Sequence, residues 1–445
     1  MTRLEIRAAF SLASIYALRM LGLFLVLPVF TLHVSQMPGG ESLMLVGIAF
    51  GAYGITQAFF HIPFGMASDR YGRKPIIALG LSLFALGSFM AAWAPTVNWL
   101  LFARALQGTG AVSAAVLAFA ADLTREQHRT KVMALIGSSI GLMFAFSLAV
   151  APVIDAAIGL SGIFALTGGL AIAGILVVTR LVPTPPPSEP VKQTWAGFQA
   201  VLLNPQLMRL NFGILSLHLV MTAMFVVLPA ALIDTSNLPE ASLWKVYLPV
   251  VLVSFVLMLP PIFVAERHGR LKPVFVGAIG LLSLAQLGFY FGLGNFTALV
   301  ATLLLFFVAF NILEASLPSL VSRIAPPQAK GAAMGIYNTT QSLGLAFGGI
   351  LGGTLAQHFG PSSVFLLGLV LVVAWLAIAA SMQPPIMAVS REFPVQPQVE
   401  LATLRERLLA LPGVREVRID AETRIAYLKV QLVNWEEDRV RQLVG

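Results

Sequence analysis

The chain has 445 residues, of which 58% are apolar and only 11% charged, with a mean hydropathy of +0.86. Soluble domains carry about 25% charged residues, so this composition excludes a water-soluble enzyme and places the chain in a bilayer. The formal charge of +8 would suggest nucleic acid on a soluble protein, but nineteen basic and eleven acidic residues precede Ile386 and nine of each follow, so the excess belongs to the apolar part. With no cysteine, disulfides, thiolate metal sites, iron–sulfur clusters and a cysteine nucleophile are excluded, and the redox compartment is left open.

The first apolar stretch, at about 8–34, is longer than a signal-peptide core and is followed by no cleavage site. A helix needs about 20 apolar residues to cross a bilayer. Spans are expected at about 8–33, 43–67, 75–94, 97–121, 130–154 and 161–182, and again at about 207–232, 244–265, 272–292, 296–322, 331–356 and 361–382. The prolines of Val182 to Gln193 cannot continue a helix and suit a polar loop. The expected organisation is a six-helix bundle over 1–182, a cytoplasmic linker over 183–206, a second six-helix bundle over 207–385 and a cytoplasmic domain over 386–445.

Orientation follows from the positive-inside rule. With a cytoplasmic N-terminus, sixteen basic residues fall on inside segments, among them Arg3, Arg7, Arg70, Arg73, Lys74, Arg125, Arg267 and Arg270, and only Lys245 falls outside. One missed span would scramble that ratio, so both termini are expected in the cytoplasm. The halves also repeat: Pro63, Asp69, Arg70, Gly72 and Arg73 meet Pro260, Glu266, Arg267, Gly269 and Arg270 at a constant offset of 197 residues. Parallel repeats about an axis along the membrane normal produce this register.

From Val389 the periodicity changes. REFPV reads as a strand, Gln398 to Leu411 as an amphipathic helix stopped by Pro412-Gly413, VREVRID and RIAYLKVQ as strands around the turn 421–423, and Trp435 to Val444 as a second helix. The fold class expected is an all-α membrane protein of twelve transmembrane helices in two pseudo-symmetric six-helix bundles, with a small C-terminal α+β domain.

GMASDRYGRKP, Gly65 to Pro75, is the most specific stretch. Gly65 would permit close helix approach, Gly72 a tight turn, and Asp69 stands among Arg70, Arg73 and Lys74 at a membrane surface. It resembles the signature loop of the major facilitator superfamily, and LFARALQGTGAV, Leu101 to Val112, resembles that superfamily's fourth-span motif with Arg104 as its buried arginine. LRLNFGILSLHL, WKVYLPVVL, FFVAFNILEASLPSLVSR and the C-terminal domain resemble the bacterial YajR-type transporters over nearly the full length. The resemblance implies an inner-membrane, proton-driven transporter grouped with drug efflux proteins. It implies that the loop is a conformational lock, with Asp69 near the start of the eleventh span around Lys330 to Ala333 and Arg73 paired with Asp69 and Asp122. Drug antiporters carry a Gly-Pro element in the fifth span; here Gly137 and Gly141 are followed by Ala151-Pro152, which bends the helix without that element.

Ionisable residues at membrane depth are costly and mark candidate sites. Arg19 lies about 18 Å along a helix from Arg7, near mid-membrane, where it either neutralises a substrate anion or pairs with a backbone carbonyl. Arg104 stays protonated at any usable pH and cannot itself carry a proton, so it would tune a neighbour. Glu314 is the one acid well inside an expected span; it either carries a proton or makes a structural hydrogen bond. His218 and His61 also titrate in the relevant range, His61 reading as structural, and Asp155 reads as a solvated helix end.

The C-terminal domain resembles heavy-metal-associated domains of ferredoxin-like form, but PVQPQVE replaces their Cys-x-x-Cys loop, which excludes metal binding through that site. No P-loop or dinucleotide fingerprint appears, so ATP is not the energy source, and no cofactor is expected. Nothing at membrane depth pairs catalytic groups, which argues against an enzyme. The reading is a monomeric transporter that exchanges a small amphipathic compound for protons across the lipid bilayer, with no nucleic-acid partner. A proton symporter and a non-transporting sensor signalling through the C-terminal domain are the alternatives.

Overall fold

The computed structural model describes residues 1–183, 195–236, 238–325, 329–383, 388–396, 398–420, 424–431 and 435–445. Residues 184–194 of the expected linker and the turn at 421–423 lie outside them. The chain divides into two compact units, Met1–Gln383 and Pro384–Gly445.

The first unit opens with α1 (Arg3–Val26), a short α2 (Phe30–Val34), α3 (Leu43–Tyr71), α4 (Arg73–Ala92), α5 (Val97–Thr109), α6 (Ser113–Asp122) and α7 (Glu126–Leu176). Helix α8 (Trp195–Leu202) falls within the expected linker, and α9 (Pro205–Ser236), α10 (Trp244–Arg267), α11 (Leu271–Gly292), α12 (Phe296–Ile324), α13 (Lys330–Phe359) and α14 (Pro361–Ala380) follow. A bilayer core offers no water to backbone amides, so spanning segments must satisfy them internally as helices. Their ends are capped by side chains: Thr2 and Glu5 form a capping box on α1, and Ser42, Thr96 and Asn295 cap α3, α5 and α12.

Ten helical segments are long and apolar enough to cross a membrane by length and composition. Gly159, at φ +66°, breaks α7 into the fifth and sixth crossings, and α13, whose middle carries the polar run Tyr337 to Ser342, completes twelve among the described residues. Two expected spans are interrupted. The first ends at Val26 and resumes as α2 beyond Pro28, whose ring removes a donor and crowds the preceding turn. The fourth is split between α5 and α6 at Gly110, which leaves helical geometry at ψ 48°.

The halves share an apolar core that includes Phe30 and Phe50 from the first and Phe225, Phe307 and Phe310 from the second. At the end bearing the charged loops, the first half has a separate core of its own, around Ala8 to Tyr16, Phe119, Ile136 and Val178. The tightest seam lies at the opposite end, where α3 lies on α13 through glycines. A Cβ at Gly54 would sit 2.5 Å from the Ser342 carbonyl oxygen and one at Gly349 would sit 2.8 Å from that of Gly47. Small residues let membrane helices approach in this way. At the tip of the seam Gln357 Oε1 accepts hydrogen bonds from the Met44 amide at 2.8 Å and the Ser42 hydroxyl at 3.0 Å.

The second unit runs β1 (Ala388–Pro394), α15 (Leu401–Leu409), β2 (Val414–Asp420), β3 (Ile425–Gln431) and α16 (Glu437–Val444). Its antiparallel sheet has the order β1-β3-β2, the βαββα arrangement read from the sequence. Leu404, Leu408, Leu428, Val430 and Val440 fill its core.

Candidate functional site

The charged loop is built around one turn. Gly72 ends α3 and starts α4 at φ +95°, ψ 150°, a conformation L side chains rarely adopt, and its counterpart Gly269 sits at φ +68°. The turn places Arg73 beside the end of α6, where its guanidinium meets Asp69 Oδ1 at 2.5 Å and Asp122 Oδ2 at 2.8 Å. It also donates to the Ser68 hydroxyl at 2.7 Å. Among the described residues, the ion pair of Asp69 stays within its own half, and no contact carries it to the start of α13. Arg70 stacks on Tyr71 at 5.3 Å and Arg267 on Phe263 at 5.5 Å. Lys74 is half-buried. Gly65 is not a tight approach, since a Cβ there would lie 3.7 Å from Ala114, an ordinary contact. A second clamp joins the start of α1 to the loop after α6, with Arg125 Nε donating to Glu5 Oε1 at 2.9 Å.

A polar seam crosses the middle of the bundle. Arg19 is buried and donates to the Ser113 hydroxyl at 2.7 Å and the Tyr53 hydroxyl at 2.9 Å. Gln57 donates to the same phenol at 3.0 Å, and its Oε1 accepts from Ser342 of the second half at 3.1 Å. The Ser342 hydroxyl also lies 3.2 Å from His61 Nε2. Tyr53 connects the two buried arginines, because its ring face lies 4.8 Å from the Arg104 guanidinium. Arg104 donates to Gln107 at 2.5 Å, and Gln107 donates to Ser88 at 2.8 Å. Both guanidiniums are thus held by neutral groups, with Arg19 Nε and Arg104 Nε unpartnered. A void of about 20 Å³, room for about one water, separates Tyr53 and Arg104 from Thr222 and Leu345.

In the second half Glu314 of α12, His218 of α9 and Gln341 of α13 converge. Gln341 Nε2 lies 2.8 Å from His218 Nε2 and donates to Glu314 Oε1 at 3.4 Å, while Glu314 Oε2 stands 3.9 Å from the imidazole. With Nδ1 against the Ile214 carbonyl at 3.3 Å, the contacts suit the tautomer that donates from Nδ1 and accepts at Nε2. Tyr16 of the first half and Tyr337 of the second both lie within electrostatic reach of Glu314.

The sequence profile of the Major Facilitator Superfamily matches residues 12–265 and 250–421. The chain belongs to that superfamily. It is 44% identical, over 97% of its own length and 95% of the relative's, to the inner membrane transport protein YajR of Escherichia coli (strain K12). To the multidrug resistance protein MdtH of Proteus mirabilis (strain HI4320) it is 27% identical over 75% of its length and 82% of the relative's. A bacterial homologue of the human lysosomal transporter Spinster, solved in an inward-facing and occupied conformation, shares the fold with a TM-score of 0.69 at 13% identity, over 85% of this chain and 97% of that one. The superfamily makes this chain a membrane transporter and not an enzyme.

For a superfamily member, the reading of single ionisable residues missed the neutral groups that connect them. Tyr53, Gln57, Gln341 and Ser342 complete the seam, and the signal for the last two was the polar run in the middle of the eleventh crossing. Asp155 is corrected outright: it is 6% exposed rather than a solvated helix end, because α2 and the turn Glu240–Ser242 cover it.

Proposed function

We propose that this transporter is a proton-coupled secondary antiporter that exports a small amphipathic compound across a bacterial inner membrane, with both termini in the cytoplasm and the loop of Asp69, Arg73 and Asp122 as its conformational lock. Transport by the relatives named YajR and MdtH supports the class, and the sixteen basic residues on one side support the orientation. Packing of α3 on α13 at the outer end, with Asp69 held inside its own half, fits a state closed to the outside.

The observation that carries proton coupling is the cluster of Glu314, Gln341 and His218. A carboxyl at this depth is stable as a neutral acid, or as an anion if a partner compensates it. His218 is that partner within reach: a proton taken at Nε2 displaces Gln341 as donor and leaves an imidazolium facing Oε2. One proton thereby switches the cluster between two hydrogen-bond patterns on three helices of the second half.

Glu314→Gln mimics the protonated acid permanently. In everted vesicles, using a substrate found by thermal-shift screening, the variant should bind and exchange substrate by counterflow, which needs no net proton movement. Its uptake should no longer respond to an imposed pH gradient. Wild-type pH-driven uptake by this variant would make Glu314 structural.

A further inference from the structure

At the outer end of the bundle, three side chains from three elements meet away from the polar seam. His33 lies in α2, Asp155 in the outer half of α7's first segment, and Glu240 in the short turn Glu240–Ser242 between the seventh and eighth crossings. His33 Nε2 stands 3.6 Å from Asp155 Oδ1, and His33 Nδ1 stands 3.6 Å from Glu240 Oε1. One ligand atom from each lies within 4.8 Å of the others.

Three of the four facing atoms are unsatisfied. His33 Nδ1, Asp155 Oδ1 and Glu240 Oε1 are buried and have no hydrogen-bond partner, although the Asp155 side chain is only 4% exposed. Leaving a carboxylate oxygen unpaired in such a place is costly. The separations suit a cation. An imidazole binds an ion through one nitrogen, so a single ion uses one of the two 3.6 Å pairs. That spacing is close to the about 3.4 Å between ligand atoms of a tetrahedral site with bonds of about 2.1 Å, and the third ligand atom lies within 4.8 Å of both. The His33 and Glu240 side chains are 33% and 32% exposed, which leaves an aqueous approach from outside.

We propose that His33, Asp155 and Glu240 form a binding site for a divalent transition-metal ion, with water completing the coordination. One imidazole and two carboxylates suit zinc or manganese, whereas all-oxygen sets suit calcium and magnesium. His33 and Asp155 belong to the first half and Glu240 to the second, so the ion staples the two halves together at the outer end. An ion that binds only the outer-closed state favours it by mass action, about a hundredfold when its concentration is a hundred times Kd. External zinc therefore acts as a brake on alternating access, at a site separate from substrate.

The test uses the full-length protein, purified and in right-side-out vesicles. Zinc should bind in a competition assay and raise the melting temperature, and Asp155→Asn, Glu240→Gln and His33→Gln should each weaken binding at least tenfold. The same variants must keep the wild-type elution profile without zinc; if one does not, the other two carry the comparison. The chain is free of cysteine, so Leu345→Cys, beside the central void, can report outer opening to an impermeant maleimide. Zinc should slow that labelling in a wild-type site and leave the Asp155→Asn site unaffected. Equal zinc affinity in all four proteins, or an equal response to magnesium or calcium, would overturn the assignment. So would labelling slowed by low pH in EDTA but not by zinc, which would make the cluster a proton clasp.

Discussion

Arg73 shows how a residue at the membrane surface is given a defined role. An exposed ion pair contributes about 0–1 kcal/mol, but Arg73 has a 16%-exposed side chain shared by two carboxylates and the Ser68 hydroxyl. Removing one acid leaves the other, so on the proposed reading the closed-outside arrangement should survive single substitutions. The proposed role of Asp69 toward the start of α13 then belongs to the opposite state, where a helix N-terminus attracts a carboxylate by about 1 kcal/mol. Asp69→Asn should therefore lower the outward-open population roughly fivefold, read as slower external labelling of Leu345→Cys. Glu41→Gln, which removes an exposed acid elsewhere, should leave labelling unchanged. Identical labelling in the two variants would remove Asp69 from the lock. The pairing of Asp69 with Arg73 was legible as an i,i+4 spacing; its link to Asp122 was visible only through the superfamily resemblance, since 49 residues separate Arg73 from Asp122.

In the proposed cycle, the element that decides which end of the bundle is closed is the glycine face of α3 against α13. A side chain at Gly51 would collide with the Ala346 carbonyl, and overpacking of this kind costs about 1–3 kcal/mol. The strain exists only while the outer ends are together, so Gly51→Val should raise external labelling of Leu345→Cys roughly tenfold. Gly137→Ala is the matched control, because nothing lies within 4 Å of a Cβ there. No change with Gly51→Val would mean that the seam does not open during the cycle. The crossings themselves were legible because apolar length and basic loops are written along the chain. The break at Pro28 and the seam were not, since a hydropathy window averages over a proline, and Gln57 meets Ser342 across 285 residues. Asp155 was misread because its cover comes from α2, far away in the sequence, and from a turn in the other half.

At the scale of the whole molecule, twelve crossings require the ends of the linker and of the chain to share one side. Reporters fused after Lys192 and after Gly445 should both read cytoplasmic, and a periplasmic signal at Gly445 would break the twelve-span fold. The second unit, Pro384–Gly445, has its own apolar core and its own sheet, at a size where folding alone is marginal but common. Expressed by itself, it should melt in one cooperative step. Metal should not move that melt. The six histidines of the chain all precede Pro384 and there is no cysteine, so the unit offers a soft or borderline metal only carboxylates, carbonyls and the single thioether of Met387, a set that holds zinc and copper poorly. A ligand that binds the folded form raises its stability by mass action, so a flat melting temperature across a zinc and copper titration is a sensitive null. The same titration on the full chain should raise its melting temperature through His33, Asp155 and Glu240. A metal-dependent rise in the fragment would place a second site in the C-terminal unit, and zinc binding by the full chain would then have to be divided between the two.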